Sequence, residues 1–170
     1  MRSAADDCYA HPDYYALAFD FRDLAGEVAV IERLRERFGP GLGRSLLHLA
    51  CGPAQHLPAL AAAGYAYTGL DLSPAMLDRA RAVADDAGVA ARFQQGTMAD
   101  FSLPDPVDII FVALGDLYVR NAAEVDSFLA SCANALKPGG LLLLDWCIQF
   151  QPERTFKADG DGWTMERDGV

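Results

Sequence analysis

The stretch Ser45-Leu46-Leu47-His48-Leu49-Ala50-Cys51-Gly52-Pro53-Ala54 decides the fold, because an apolar run ends there in a turn of small residues. An Ala-rich helical segment follows the turn, and a second strand-like run then ends at Asp71. Small residues after a buried strand let the backbone approach a ligand at the N-terminus of the next helix. An acid about 20 residues further on can accept hydrogen bonds from both ribose hydroxyls. The pattern predicts the nucleotide-binding corner of a doubly wound α/β fold, and with it a nucleoside-containing cofactor.

The composition narrows the class of protein. With 170 residues, of which 52% are apolar, the chain is long enough to bury a core and short enough for one domain. Its net charge of -10 opposes nucleic-acid binding, because a phosphate backbone requires clustered Lys and Arg. The N-terminus lacks a basic start followed by an apolar run, and no apolar segment has the length of a bilayer span. We therefore expect a soluble, cytoplasmic protein without nucleic-acid or membrane partners.

The cysteines give no sign of a metal site. The chain has four of them, at Cys8, Cys51, Cys132 and Cys147. They show neither CxxC pairing nor a zinc spacing, and most lie in apolar segments where Cys behaves as a small hydrophobe. We expect free thiols in a reducing compartment and no bound metal.

Helical and strand patterns alternate along the chain. The predicted helices cover residues 12–20, 24–38, 57–63, 74–87 and 122–136, and the strands after the first cover 65–70, 90–95, 107–114 and 141–147. Five strands that alternate with helices predict a mostly parallel sheet in the order 3-2-1-4-5 with helices on both faces. The domain is expected to span residues 1–148, with an N-terminal helical lid over 1–43. A polar tail follows over 149–170, where Trp163, Thr164 and Met165 suggest a short strand.

Three motifs, in their order and spacing, resemble those of the class I S-adenosylmethionine-dependent methyltransferases. They are Leu49-Ala50-Cys51-Gly52-Pro53, Thr68-Gly69-Leu70-Asp71-Leu72-Ser73-Pro74-Ala75-Met76-Leu77, and Leu136-Lys137-Pro138-Gly139-Gly140. The similarity covers roughly residues 9–148 and is greatest to the small-molecule branch with a helical lid. A dinucleotide enzyme instead needs a G-x-G-x-x-G turn, which this chain lacks. The resemblance implies a Rossmann-like fold, S-adenosylmethionine as cofactor, and methyl transfer to a small-molecule acceptor.

The resemblance also implies where the cofactor binds. Backbone at the first motif would contact its methionine portion, Asp71 would bind the ribose, and Arg22 would meet the carboxylate. An ion pair of Arg22 with Asp20 or Asp23 is the alternative. The full set of expected cofactor contacts is Tyr15, Arg22, Ala50, Gly52, Asp71, Leu72, Met76, Thr97, Met98 and Leu114.

Catalysis requires little from the side chains, because the methyl group on a sulfonium is already activated and needs mainly in-line positioning. Where a base assists, Asp116 and Tyr118 follow the fourth strand at the place where an acceptor would enter. A solvated loop acid or a helix cap is the alternative interpretation of Asp116. His56 is a second candidate base, although an exposed residue on the first helical turn is the favoured interpretation.

Three residues depart from the family pattern. His48 stands where the family carries an acid that holds the cofactor's amino group, and we expect a core histidine satisfied by a neighbouring backbone group. Ala54 replaces a glycine, and its methyl group matters only where the backbone needs a positive φ or the cofactor passes within contact. Thr97 replaces an acid expected to bind the adenine amino group, and its hydroxyl offers a weaker acceptor.

The two ends of the chain raise further alternatives. An N-terminal aromatic cluster could form a lid over the substrate or simply pack on the sheet; its members are Tyr9, Tyr14, Tyr15, Phe19 and Phe21. The family adds a helix and an antiparallel strand pair after strand five, so we expect either a fragment or a homo- or hetero-oligomer that covers the open sheet edge. The alternative functions are a non-catalytic methyltransferase-like subunit or ligand-binding protein, and a methyltransferase-fold enzyme with non-methylating chemistry.

Overall fold

A five-stranded parallel sheet forms the centre of the molecule in the computed structural model, which describes residues 8–145. Its strands are β1 Ser45–Leu49, β2 Ala66–Asp71, β3 Ala91–Gln95, β4 Val107–Val112 and β5 Leu136–Leu144. The helices are α1 Pro12–Ala18, α2 Leu24–Phe38, α3 Leu57–Ala62, α4 Pro74–Ala87 and α5 Ala122–Ala135, and a 3-10 turn at Cys8–Ala10 precedes them. The strand order β3-β2-β1-β4-β5 confirms the predicted order.

Helices cover both faces of the sheet, as predicted. On one face, α2, α3 and α4 pack against residues such as Leu46 and Ile109 in one apolar cluster. On the other face, α5 packs through Phe128 against Leu47 and Ile110 in a second cluster. Because both faces are covered, every residue of β4 is buried, and all of them except Asp108 are apolar.

Local signals in the sequence set the helix ends. The Ser73 hydroxyl accepts a hydrogen bond from the Met76 amide at the start of α4, and Pro74 occupies the first helical position. Gly88 ends the same helix in the left-handed conformation (φ 63°). The predicted bounds of α2 and α4 are therefore confirmed.

Strand β5 begins earlier than predicted. Leu136 already pairs with Val107, and the next paired residue is Leu141 opposite Ile109, so residues 137–140 bulge out of the strand. Gly139 lies in the left-handed region (φ 77°), which a bulge tolerates at glycine. The family motif of these residues is thus part of the strand and does not form a separate turn before it. The end of the predicted strand, Cys147, and the predicted tail strand at residues 163–165 lie outside the described residues.

A buried carboxylate links neighbouring strands at the amino ends of β1 and β4. Asp108 at the start of β4 accepts hydrogen bonds from the backbone amides of Gly43 (3.0 Å) and Ser45 (2.9 Å). Lys137, in the bulge of β5, donates to the same carboxylate over 2.9 Å. Asp108 therefore joins β1, β4 and β5, a role that the sequence analysis did not predict.

Candidate functional site

The carboxyl ends of β1 and β4 form the switch point of the sheet, where open α/β folds bind ligands. Three non-glycine residues of the described chain have a positive φ, and all lie here: Ala50 (49°), Ala54 (56°) and Leu114 (56°). Such conformations cost an L-residue about 1–3 kcal/mol each and cluster at ligand sites. Ala54 therefore has the positive φ at which its methyl group, absent from glycine, makes the backbone conformation less favourable.

Asp71 links two loops of the site. At the end of β2, its Oδ2 accepts a hydrogen bond from the Gly52 amide (2.8 Å), in the turn after β1. Its Oδ1 accepts one from the Ser73 amide (2.8 Å), in the turn before α4. A carboxylate offers about four lone-pair positions, so these two bonds leave capacity for further donors.

Arg22 does not pair with Asp20 or Asp23, the two partners predicted for it. Its Nε donates to Oε1 of Glu27 over 3.0 Å, and its Nη2 contacts Oε2 of the same carboxylate. The guanidinium is nearly buried, with 6% of the side chain exposed. The reason lies in α2: Asp23 is used as the helix cap, whereas Glu27 lies one turn further on, beside Arg22.

His56 is buried, which contradicts the prediction of an exposed residue. Its side chain is 2% exposed, and its Nε2 lies 2.8 Å from Oε2 of Glu27. Burial lowers the pKa of His56, although its bond to Glu27 acts in the opposite direction. Burial raises the pKa of Glu27, but hydrogen bonds from Arg22 and His56 outweigh it and leave the pKa below its usual value. The packing of α2 against the start of α3 therefore creates a buried polar cluster.

His48 is a core histidine, as expected, but its partner is a side chain and not the backbone. Its Nδ1 lies 2.9 Å from the Tyr67 hydroxyl, and its ring meets that of His56 edge to face at 5.1 Å. Burial, together with the nearby His56 and Arg22, holds the pKa of His48 well below its usual range. The imidazole is therefore neutral at pH 7.

The two predicted catalytic residues contact each other after β4. The Tyr118 hydroxyl lies 3.2 Å from Oδ1 of Asp116 and 2.7 Å from the hydroxyl of Tyr9. Burial raises the pKa of Asp116 to about 6, a hydrogen bond from Tyr118 opposes this, and the charge of Asp71 adds to it. The helix-cap interpretation of Asp116 is wrong, because α5 begins later and is capped by Asn121.

Aromatic side chains of the N-terminal segment lie over the first motif. The Tyr15 ring is 3.8 Å from the position that a Cβ at Gly52 would take. Ring contacts then run from Tyr9 to Tyr15 at 6.0 Å and from Tyr15 to Phe19 at 4.6 Å. Tyr14 instead contacts His11 and is 60% exposed, so it does not cover the site.

The residues expected at the adenine lie along the loops after β2 and β3. Leu72 is 70% exposed at the rim, whereas Met76 is fully buried within α4. Thr97 is exposed, and its hydroxyl accepts a hydrogen bond from the amide two residues further on (3.2 Å). Met98 is buried, and its sulfur accepts a hydrogen bond from the Tyr118 amide (3.2 Å). Leu72 and Thr97 are open to a ligand, while the two methionines support the loops from below.

A small cavity of about 20 Å³ lies at the switch point, with room for about one water molecule. Five predicted site residues line it: Tyr15, Arg22, Ala50, Leu114 and Asp116. The predictions did not include six further lining residues as cofactor contacts: His48, Cys51, Pro53, Gln55, His56 and Ala113. The other predicted residues lie outside it: Gly52, Asp71, Leu72, Met76, Thr97, Met98 and Tyr118. A histidine within an otherwise apolar, buried strand was the available signal for His48.

The described part of the chain has neither a cluster typical of a metal site nor a helix that could cross a membrane. Within residues 8–145, no cluster of three or more His, Cys, Asp or Glu side chains has the arrangement of a metal site. Over the same residues, the longest apolar helix falls short of what crossing a membrane requires.

Comparison with known proteins gives a consistent family of relatives. Residues 46–140 match the methyltransferase domain family. The chain is 34% identical to dTDP-3-amino-3,4,6-trideoxy-alpha-D-glucopyranose N,N-dimethyltransferase of Streptomyces venezuelae, over 94% of this chain and 65% of that protein. Among solved structures, DesVI of Streptomyces venezuelae is 33% identical with a TM-score of 0.72, over 90% of this chain and 61% of that one.

The S-adenosylmethionine-bound amino pentose methyltransferase CalS10 of Micromonospora echinaspora is a further structural relative. It is 26% identical with a TM-score of 0.67, over 91% of this chain and 61% of that one. The chain thus spans less than two thirds of the length of these relatives.

Proposed function

Since this chain belongs to the class I S-adenosylmethionine-dependent methyltransferases, we propose that it transfers a methyl group from S-adenosylmethionine to a small-molecule acceptor. Asp71 is the residue that carries this proposal. Its carboxylate ends β2, is already ordered by the Gly52 and Ser73 amides, and retains free lone pairs. Those lone pairs fit the two hydroxyls of a ribose.

The residues around Asp71 fit the rest of the cofactor. The backbone at Ala50 and Gly52 would hold its methionine portion, and Arg22 would approach the carboxylate from the buried side. Leu72 and Thr97, both exposed on neighbouring loops, would border the adenine, and the buried Met76 and Met98 would lie behind them. When bound, S-adenosylmethionine supplies a methyl group on a sulfonium, with a neutral leaving group.

The chain's own residues would orient the acceptor and accept its proton. Asp116 lies at the cavity, and its Oδ1 is held by the Tyr118 hydroxyl, so the carboxylate can take a proton from an incoming N–H or O–H. Tyr15, over Gly52, and Leu114 would exclude water from the reacting groups. Positioning, desolvation and one proton acceptor are sufficient for this reaction class.

An amino group on a sugar is the acceptor we propose to test first. Both the dTDP-amino sugar enzyme and CalS10 are named as methyltransferases of amino sugars, and the former is the relative with the highest identity of the three compared. The buried free thiols Cys51 and Cys132 support a reducing, cytoplasmic location. We propose no nucleic-acid or membrane partner, because the net charge is -10.

Mass spectrometry of the reaction tests this function. The chain is incubated with S-adenosylmethionine and nucleotide-linked amino sugars, alongside matched hydroxy sugars that lack the amino group. We expect methylated amino sugar and formation of S-adenosylhomocysteine, both reduced in Asp116→Asn. Binding of S-adenosylhomocysteine without any transfer would favour the non-catalytic subunit, and absence of both would contradict the proposal.

A further inference from the structure

Two buried basic side chains that line the cavity after β1 each have one nitrogen without a hydrogen bond to a described residue. Nη1 of Arg22 makes no hydrogen bond to a described residue, whereas its Nε and Nη2 bind Glu27. Nε2 of His48 likewise has no partner among residues 8–145, although the residue is only 3% exposed. Within that range no fully enclosed side-chain nitrogen or oxygen lacks a hydrogen bond, so neither of these two atoms is fully enclosed, and both residues line the cavity.

Two neighbouring side chains, Cys51 and Tyr67, determine which nitrogen of His48 carries the proton. The Cys51 thiol donates toward the Gly52 carbonyl (3.6 Å), so its sulfur is left as a weak acceptor. The Tyr67 hydroxyl is 2.9 Å from Nδ1 of His48, a much stronger acceptor for a phenol proton. Tyr67 therefore donates to Nδ1, and the proton of the neutral imidazole lies on Nε2, the ring nitrogen without a described partner.

The cavity is thus lined by two residues that each have an available N–H donor, Arg22 and His48. We propose that these two residues together bind a carboxylate, that of the amino-acid portion of the cofactor, and that Tyr67 is the positioning residue that sets the His48 tautomer. This inference rests on the proposed function, which brings an S-adenosyl compound to this crevice. An acid at position 48 would repel the same carboxylate, whereas a neutral imidazole protonated on Nε2 donates a hydrogen bond to it.

Nitrogen NMR of the ligand-free chain tests the tautomer without any cofactor. With ¹⁵N-labelled histidine, the side-chain shifts distinguish a protonated Nε2 from a protonated Nδ1. We expect His48 to carry its proton on Nε2, and we expect Tyr67→Phe, which keeps the ring and removes the hydroxyl, to populate the other tautomer. A His48 protonated on Nδ1 in the unaltered chain would overturn the inference.

Calorimetric titration with three adenosine compounds tests the carboxylate site itself. S-adenosylhomocysteine has both the ammonium and the carboxylate, its decarboxylated aminopropyl analogue has only the ammonium, and 5′-methylthioadenosine has neither. We expect S-adenosylhomocysteine to bind roughly 10- to 100-fold more tightly than the aminopropyl analogue, which is the effect of a charged hydrogen bond. His48→Leu should remove most of this ratio, whereas His48→Gln, whose amide nitrogen replaces Nε2, should retain much of it.

The outcomes separate this inference from the proposed function. Equal affinity for S-adenosylhomocysteine and the aminopropyl analogue, or an unchanged ratio in His48→Leu, overturns the carboxylate site. The proposed function stands in both cases, because an adenosine compound has bound. If none of the three compounds binds, the inference and the proposed function both fail.

Discussion

At the scale of single residues, Asp116 makes the most direct link between environment and chemistry. Burial brings its pKa to about 6, close to physiological pH, where a carboxylate is a better proton acceptor than at its ordinary value. The base must be ionised to act, so the ratio of kcat/KM in the unaltered chain to that in Asp116→Asn should fall as the pH is lowered through about 6 and level off above it, because the acceptor's own ionisation cancels in the ratio.

The pH profile of methyl transfer between pH 5 and 9 measures this directly, with Asp116→Asn as the test variant. We expect a loss of roughly 10²- to 10⁴-fold in that variant, the usual effect of removing a general base. Asp105→Asn, an exposed acid in the loop before β4, is the matched control. A ratio of kcat/KM between the unaltered chain and Asp116→Asn that is flat through pH 6 would exclude Asp116 as the base.

Glu27 is the residue on which the buried polar cluster depends. It is the described ion-pair partner of Arg22 and a hydrogen-bond partner of His56, and the two basic side chains are nearly buried. Glu27→Gln should therefore lower the free energy of unfolding by about 1–3 kcal/mol, because a buried charge loses its partner.

Urea denaturation of Glu27→Gln and of Glu36→Gln measures this effect. Glu36 lies on the exposed side of the same helix, so its substitution changes the net charge equally without touching the cluster. Equal stability of the two variants would contradict the role given to Glu27.

At the scale of secondary-structure elements, Asp108 joins three strands. Burial alone would raise its pKa, but hydrogen bonds from Ser45, Lys137 and the Gly43 amide outweigh burial and lower the pKa to about 2. A carboxyl whose pKa is lower in the folded than in the unfolded chain stabilises the fold above the unfolded pKa of about 4. That stability is lost as the pH falls toward the folded pKa.

Asp108→Asn should thus lower the unfolding free energy at pH 7 by roughly 2 kcal/mol, and the gap should narrow between pH 4 and pH 2. Denaturant titrations at several pH values measure both quantities. A stability difference that stays constant down to pH 2 would show that the ionised carboxylate is not what joins the strands.

The elements also show how far the sequence alone could predict the structure. Caps and glycines act within one helical turn, so the bounds of α2 and α4 were predictable from Asp23, Ser73 and Gly88. The start of β5 was not, because the bulge at residues 137–140 exists only through pairing with β4. The sheet order followed from the alternation of strands and helices, which restricts a parallel sheet to few topologies.

The candidate site was less predictable for the same reason. The positions at the strand ends, such as Asp71, follow from local motifs. The polar partner of the buried His56 is Glu27, which the packing of α2 against α3 brings to it from 29 residues away. The same Glu27 pairs with Arg22, although Asp20 and Asp23 are nearer in sequence. The charges at the cavity therefore depend on long-range packing, which cannot be predicted from the spacing of residues within a motif.

At the scale of the whole molecule, β3 and β5 are the two edge strands of the sheet within residues 8–145, and β5 is the more apolar of the two. Residues 141–144 remain partly exposed although all four are leucines, and within residues 8–145 the strand pairs only with β4. Exposed, apolar edge strands favour association. We predict a dimer formed through this edge, with a mass near twice the 18.3 kDa of one chain.

Light scattering after gel filtration, over a range of concentrations, measures that mass. Leu141→Lys places a charge on the edge strand and should return the chain to a monomer. A monomer at every concentration would contradict the predicted dimer.

The central claim is that an S-adenosyl nucleoside binds at the end of β2 through Asp71. Calorimetric titration of S-adenosylhomocysteine tests it in three forms of the chain: unaltered, Asp71→Asn, and Asp86→Asn, an exposed control on α4. We expect saturable binding that Asp71→Asn weakens by about 1–3 kcal/mol and that Asp86→Asn leaves unchanged. Binding of equal strength in all three forms, or no binding by the unaltered chain, would contradict the claim.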